Sequence, residues 1–211
     1  MKIVFFGDSI TDMGRDKSKD FNPYAYGMGY VYVITSKLSE KNPTEHTIYN
    51  RGISSNRTID LYSRIKPDVW ALEPDVLSIL VGVNDVWFDT HEVKNGLEID
   101  RFEEMYRIII ENTLKKLPKV KIVLMEPFIE LGKATEEKWD SFVKVKDYAK
   151  IVKKLAEEYG LFFLPLQEKL DELSAKYGPD VVTYDGAHPA MGGIALIANE
   201  WIKLFENEID K

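Results

Sequence analysis

Four short segments of this chain hold the residue types that acyl chemistry needs. They are Gly7-Asp8-Ser9-Ile10-Thr11, Asn50-Arg51-Gly52, Gly82-Val83-Asn84-Asp85 and Asp185-Gly186-Ala187-His188-Pro189. A serine hydroxyl is a weak nucleophile until a neighbouring base takes its proton. Only three histidines are available. His46 precedes a strand in a polar stretch and His91 lies among Asp89, Thr90 and Glu92, so both read as surface residues. His188 stands three residues after Asp185 in a glycine-containing loop. That spacing lets the carboxylate fold back onto Nδ1–H and leaves Nε2 free to accept the Ser9 proton. Attack on an ester also puts charge on the former carbonyl oxygen, which fixed donors must meet. Gly52 allows a close main-chain approach, the Asn84 amide is an uncharged donor, and the Ser9 N–H is a third. Each segment alone has a plainer reading: Asp8 or Ser9 as a helix cap, and the others as polar turns.

A rival chemistry uses the same types. Asp8, Asp12, Asn84, Asp85, Asp185 and His188 are residues a two-metal phosphoesterase would employ. Such sites draw on several histidines, and this chain has one credible candidate and no His-Glu-x-x-His pattern. Gly27-Met28-Gly29 lacks the third glycine of a dinucleotide fingerprint, and no Gly-Lys-Ser/Thr occurs. The reading therefore requires neither a metal nor a cofactor.

The elements that must position these residues are legible in the periodicity. Apolar runs at Lys2–Phe6, Thr47–Asn50, Val76–Val81, Lys121–Met125 and Leu161–Pro165 predict five strands, several apolar at consecutive positions as parallel strands buried on both faces are. Between them lie amphipathic stretches. Phe142, Val145, Tyr148, Ala149, Val152, Leu155 and Ala156 share one face of a long helix ending near Gly160. Phe102, Met105, Tyr106, Ile109, Leu114 and Leu117 share another, with Asp100 and Glu103 as its expected cap. A last helix is expected from about Pro189 to Phe205, with proline in its first turn. Strand–helix alternation across the whole chain predicts a single domain, residues 1–211, built as a three-layer α/β/α sandwich on a five-stranded parallel sheet. Ligands bind beyond the carboxyl ends of such strands. Ser9, Gly52 and Asn84 follow the first three strands, so all three emerge on one edge.

Composition narrows the function classes. With 28 basic against 35 acidic residues the net charge is −7, and no basic run exists to bind nucleic acid. Absence of cysteine removes disulfides and thiolate chemistry together. No apolar run reaches the length of a membrane span, and the N-terminus lacks the features of a signal peptide, so the chain reads as cytoplasmic.

In order and spacing, the four segments resemble the SGNH hydrolases of the GDSL esterase superfamily, named for a serine, glycine, asparagine and histidine in four separate blocks. Isoleucine at position 10 replaces the usual leucine. The resemblance runs from residue 7 to residue 189 and implies a flavodoxin-like fold. It implies Ser9 as nucleophile, His188 as general base, Asp185 as its orienter, and Ser9, Gly52 and Asn84 as oxyanion donors. The flanks Ser9–Arg15, Gly29-Tyr30-Val31, Arg51–Ser54 and Asn84–Trp87 look like intracellular acetylxylan esterases. Asp8, Trp87 and Tyr184 are the expected substrate contacts; Trp87, Phe88 and Tyr184 read as a stackable wall or, equally, as core aromatics. The expected activity is hydrolysis of small acyl esters, acetyl above all, on carbohydrate. Alternatives are a lysophospholipase or thioesterase of the same superfamily and a non-catalytic carbohydrate-binding protein. Relatives are often oligomeric, so a homo-oligomer stays open.

Overall fold

The computed structural model describes residues 1–211. Strands β1 (Lys2–Gly7), β2 (Thr47–Gly52), β3 (Val76–Leu80), β4 (Lys121–Met125) and β5 (Phe162–Leu164) form one parallel sheet in the order β2-β1-β3-β4-β5. All five residues of β3 are buried, which a central strand covered on both faces requires. Ser78 is its one polar side chain, and its hydroxyl accepts a hydrogen bond from Trp201 Nε1 at 3.0 Å.

Ten helices surround the sheet: α1 (Ser9–Asp12), α2 (Tyr30–Lys41), α3 (Thr58–Asp68), α4 (Val83–Trp87), α5 (Ile99–Lys116), α6 (Trp139–Phe142), α7 (Val145–Tyr159), α8 (Gln167–Tyr177), α9 (Pro179–Val182) and α10 (Met191–Leu204). Helices α2, α8 and α10 pack together in one layer, and α3, α5 and α7 in the other. On the first side Phe5 meets Tyr30 and Trp201 with ring centroids 5.8 and 4.9 Å away. On the second, Phe102 packs on Tyr148 at 4.8 Å. The sheet and both layers share one hydrophobic cluster of 47 buried residues. This is the expected α/β/α sandwich with flavodoxin-like strand order. No helix is long and apolar enough to cross a membrane.

Several boundaries differ from expectation. Gly7 and Gly52 pair with each other as the last residues of β1 and β2, because glycine interrupts apolar patterning without interrupting the backbone ladder. The long helix expected from Phe142 is two: α6 ends at Phe142 and α7 starts at Val145. Helix α5 starts one residue before Asp100, which therefore lies in the first turn and caps nothing; the capping position falls to Glu98, without a side-chain bond. Pro189 stands outside α10, pairing in an isolated antiparallel bridge with Thr183, and the helix starts at Met191. His46 is half-buried, its ring 5.4 Å from that of Phe205.

The order β2-β1-β3 places the chain's reversal between β1 and β3, where sheets of this order open a crevice at their carboxyl edge. Ser9 follows β1 and Asn84 follows β3 across that crevice. Helix α1 is held against the end of β2 so closely that a Cβ on Gly52 would stand 2.2 Å from the Asp12 nitrogen. Backbone cannot yield there as a flexible side chain would. Gly52→Ala is expected to lower unfolding stability by about 1–3 kcal/mol, measured by denaturant titration; an unchanged midpoint would show that α1 can move aside.

Candidate active site

Ser9 is the first residue of α1, directly after a buried Asp8 whose carboxylate accepts the Ile10 N–H at 2.9 Å. The serine hydroxyl is thereby presented at a helix N-terminus whose first amides have no partner within the helix. Its Oγ lies 2.8 Å from His188 Nε2. His188 Nδ1 lies 2.7 Å from Asp185 Oδ2. The second carboxylate oxygen, Oδ1, accepts the backbone N–H groups of Ala187 and His188 at 2.9 and 2.8 Å. The Asp185 carboxylate is acceptor-only, so Nδ1 carries the proton and Nε2 presents a lone pair to Ser9.

The loop that makes this possible is clamped from below. Glu130 N–H donates to the Gly186 carbonyl at 2.7 Å and Ala134 N–H to the Asp185 carbonyl at 2.8 Å. Gly186 has φ of 107°, and a Cβ there would come 2.4 Å from Thr135 Oγ1 and 2.8 Å from the Glu130 carbonyl. Only glycine fits between the two loops at that backbone angle. Thr183 Oγ1 accepts the Gly186 N–H, and Tyr184 N–H donates to the His188 carbonyl.

Electrostatics follow from this arrangement. The Asp185 hydrogen bond raises the His188 pKa; burial opposes it, and the charges of Asp185 and Asp8 add to the rise. Burial works to raise Asp185, but its bonds to His188 and to the two amides outweigh it, and its pKa falls. Burial pushes Asp8 up to about 6 and Asp85 up to about 7. Desolvation dominates both, since each carboxyl is almost wholly removed from water.

The far wall is formed by the loops after β2 and β3. One hydrogen of the Asn84 amide goes to the Asn56 carbonyl at 3.0 Å, leaving the other free. Asp85, fully buried, accepts the Thr58 N–H at 3.0 and 3.2 Å and the Thr58 hydroxyl at 3.1 Å. These bonds, from Asn84 to Asn56 and from Thr58 to Asp85, lock the loops together. Gly52, the expected donor of this wall, does not serve it: its N–H is spent on Asn50 Oδ1 at 2.8 Å. In the loop that follows, the amides of Ile53, Ser54 and Asn56 are bound to the Gly7 carbonyl, Asp12 Oδ2 and the Ile53 carbonyl. Ser55 N–H is the one left without a partner in the chain, and Ser55 holds φ of 68° as the third residue of the Ile53–Asn56 turn. That turn conformation favours glycine. The free main-chain donor beside Asn84 is thus three residues beyond Gly52.

Of the three expected substrate contacts, Asp8 is only 1% exposed and bound under α1, the place of a cap rather than of a contact. Tyr184 is exposed and stacked on His188, centroids 5.6 Å apart and planes 13° apart. Trp87 lies on another side of the imidazole at 6.4 Å and packs edge-on against Phe142. The rival metal reading loses its ligands: Thr58 occupies both Asp85 oxygens, and Asp12 is engaged with Ser54, Arg15 N–H and Lys17. His46 sits with Glu45 and Asp210 within 4.8 Å, at the opposite edge of the sheet. Nothing in the spacing of the sequence pairs Asn56 with Asn84 or Thr58 with Asp85. The serine-rich turn Ser54-Ser55-Asn56 was the available signal for the loop.

A model of the GDSL-like Lipase/Acylhydrolase family matches residues 5–195. An acetylxylan esterase of Geobacillus stearothermophilus is 33% identical over 209 residues, 96% of this chain and 92% of its own. Among solved structures, a GDSL-like lipase from Parabacteroides merdae superposes with a TM-score of 0.89 at 38% identity, over 96% of this chain and 94% of that one. The acetylxylan esterase Axe2 of G. stearothermophilus superposes at 0.84 with 31% identity, over 96% and 92%. The chain belongs to the GDSL-like lipase/acylhydrolase family, and it is a carboxylic ester hydrolase.

A base must be neutral to accept a proton, so activity carried by His188 is lost as pH falls through its pKa. With that pKa raised, the acid limb of kcat/KM is expected above the ordinary histidine value of about 6.5. Asp185→Asn is expected to move the limb down and to lower kcat by roughly 10⁴-fold. A pH–rate profile of both proteins on p-nitrophenyl acetate checks this, and an unmoved limb would detach Asp185 from His188.

Proposed function

We propose that this chain hydrolyses small acyl esters, acetyl esters of carbohydrates above all, by double displacement through Ser9. The observation that carries the reading is the continuous chain Ser9 Oγ, His188 Nε2, His188 Nδ1, Asp185 Oδ2, with links of 2.8 and 2.7 Å. Ser9 attacks the ester carbonyl as its proton passes to His188. The imidazolium then gives that proton to the departing alkoxide, and an acyl-Ser9 remains. Water, deprotonated by His188 in turn, attacks the acyl carbon; the acyl–Oγ bond breaks, His188 returns the proton to Ser9 Oγ, and the acid is released. The second hydrogen of the Asn84 amide and the N–H groups of Ser9 and Ser55 are the donors for the oxyanion. Crystal structures of Axe2 catalytic mutants, one at a serine and one at an aspartate, support these roles by likeness. In this reading residues 1–211 act as one domain, supported by the single core cluster.

One observation favours a longer acyl group. A groove of about 660 Å³, lined by Gly14, Tyr24, Met28, Tyr32, Met191 and Ile194 among others, flanks α1 and the start of α10. Such a wall suits a hydrocarbon chain, as in a lysophospholipase or thioesterase.

A p-nitrophenyl ester series from acetate to decanoate separates the two, with the acetate expected to turn over fastest. Ser9→Ala is expected to cost as much as ~10⁶-fold in kcat, and Asn84→Ala on the order of 10²–10³. Fastest turnover of the long esters would move the substrate to lipids, and near wild-type rates for Ser9→Ala would remove the serine mechanism altogether.

A further inference from the structure

A base that returns its proton to the leaving alcohol fixes where that alcohol must lie. In the mechanism proposed above, on which this inference rests, the alcohol oxygen is protonated from His188 Nε2. The alcohol therefore departs on the imidazole side of Ser9, away from Asn84 and Ser55. Two aromatic rings flank that imidazole: Tyr184, stacked on it, and Trp87, 6.4 Å away. Trp87 also lines a pocket of about 340 Å³, together with Thr90, His91, Glu92, Lys133 and Glu137. The pocket is tied to the same site, since Ala134, also in the lining, donates its N–H to the Asp185 carbonyl.

The chemistry of this pocket contrasts with that of the apolar groove beside Met28 and Met191. Its lining carries two carboxylates, Glu92 and Glu137, and two ammonium groups, Lys133 and Lys138. Opposite charges in equal number select no net charge in a ligand, while they offer both acceptors and donors to hydroxyl groups. A single indole face beside polar groups is a stacking surface for a ring with an apolar face and a polar edge. Neither Lys133 nor Glu137 makes a hydrogen bond or ion pair within the chain, so both are free to reach a ligand.

We infer that this pocket is the subsite for the alcohol part of the ester, and that it takes a neutral polyhydroxylated ring, a sugar unit, with Trp87 as the stacking face and Lys133 and Glu137 as hydroxyl partners. The acyl group and the oxyanion lie on the opposite side of Ser9. Specificity for the alcohol is thus held by the segments 87–92 and 133–138, neither of which contains a residue of the Ser9–His188–Asp185 chain.

The test compares Lys133→Ala and Glu137→Gln with the wild-type protein on two substrates, O-acetylated xylobiose and p-nitrophenyl acetate. Both residues are exposed, so both variants are expected to fold normally, with melting temperatures to confirm it. Each is expected to raise KM for the acetylated sugar by about fivefold, the loss of one hydrogen bond, with kcat and all kinetics on p-nitrophenyl acetate unchanged. Unchanged KM for the sugar ester, or equal losses on both substrates, would overturn the subsite. Wild-type protein that cleaves p-nitrophenyl acetate but not the acetylated sugar would overturn the carbohydrate reading and the subsite with it.

Discussion

The contact between His188 and Ser9 joins positions 179 residues apart, and most of the chain's architecture bears on holding it. The serine is fixed by β1, held in the sheet between β2 and β3, and by the cap that Asp8 gives to α1. The histidine sits in a loop with almost no regular structure of its own. What holds that loop is Asp185, whose one oxygen takes two backbone amides while the other takes the ring. Beneath it, Thr135 and the Glu130 carbonyl leave room for glycine alone at position 186, and Ala134 N–H holds the Asp185 carbonyl. A displacement of 1 Å at any of these contacts would break a hydrogen bond across the crevice, and proton transfer falls steeply with that distance.

Charge burial around the site explains why the rest of the carboxyl edge is so densely bonded. Asp8, Asp12 and Asp85 are all buried within a short distance of the crevice. Taking a carboxylate from water costs several kcal/mol unless hydrogen bonds replace the solvent. Asp12 and Asp185 find enough partners to be held ionised. Asp8 accepts one such bond and Asp85 accepts those of Thr58, yet both are so fully removed from water that burial outweighs them and drives the two toward neutrality. The same low-dielectric surroundings strengthen the bonds Asp85 makes to Thr58, which couple the Asn84 loop to the Ser55 loop. Folding stability therefore declines as pH rises from about 4 through about 7 at these two groups, because the unfolded chain ionises them more readily. Asp185 contributes in the opposite sense, its share being lost as pH falls through its lowered pKa.

The sequence reads well where a local pattern carries the physics. Strands β1, β3 and β4 follow from apolar runs, the sandwich from strand–helix alternation, and the pairing of His188 with Asp185 from a three-residue spacing. It reads poorly where tertiary contact decides. Gly52 looks like an exposed main-chain donor, yet its glycine is required by the approach of α1, and its amide is taken by Asn50. The free amide belongs to Ser55, a residue whose type gives no hint of a left-handed backbone. Asp8, expected as a substrate contact, instead turns its carboxylate inward to cap α1. Pro189 resembles a helix start, whereas a backbone bridge to Thr183 delays α10 by two residues. The polar pocket that Trp87 lines draws on residues 87–92 and 133–138, and no periodicity in the chain links those segments.

The central claim is that one serine among those near the crevice is activated, and that His188 activates it. Labelling with a fluorophosphonate, followed by peptide mass spectrometry, tests it most directly. The geometry predicts a single adduct on Ser9, with Ser54 and Ser55 unmodified, and near-complete loss of the adduct in His188→Ala. An adduct on another serine, or labelling of Ser9 that persists at the wild-type rate without His188, would contradict it.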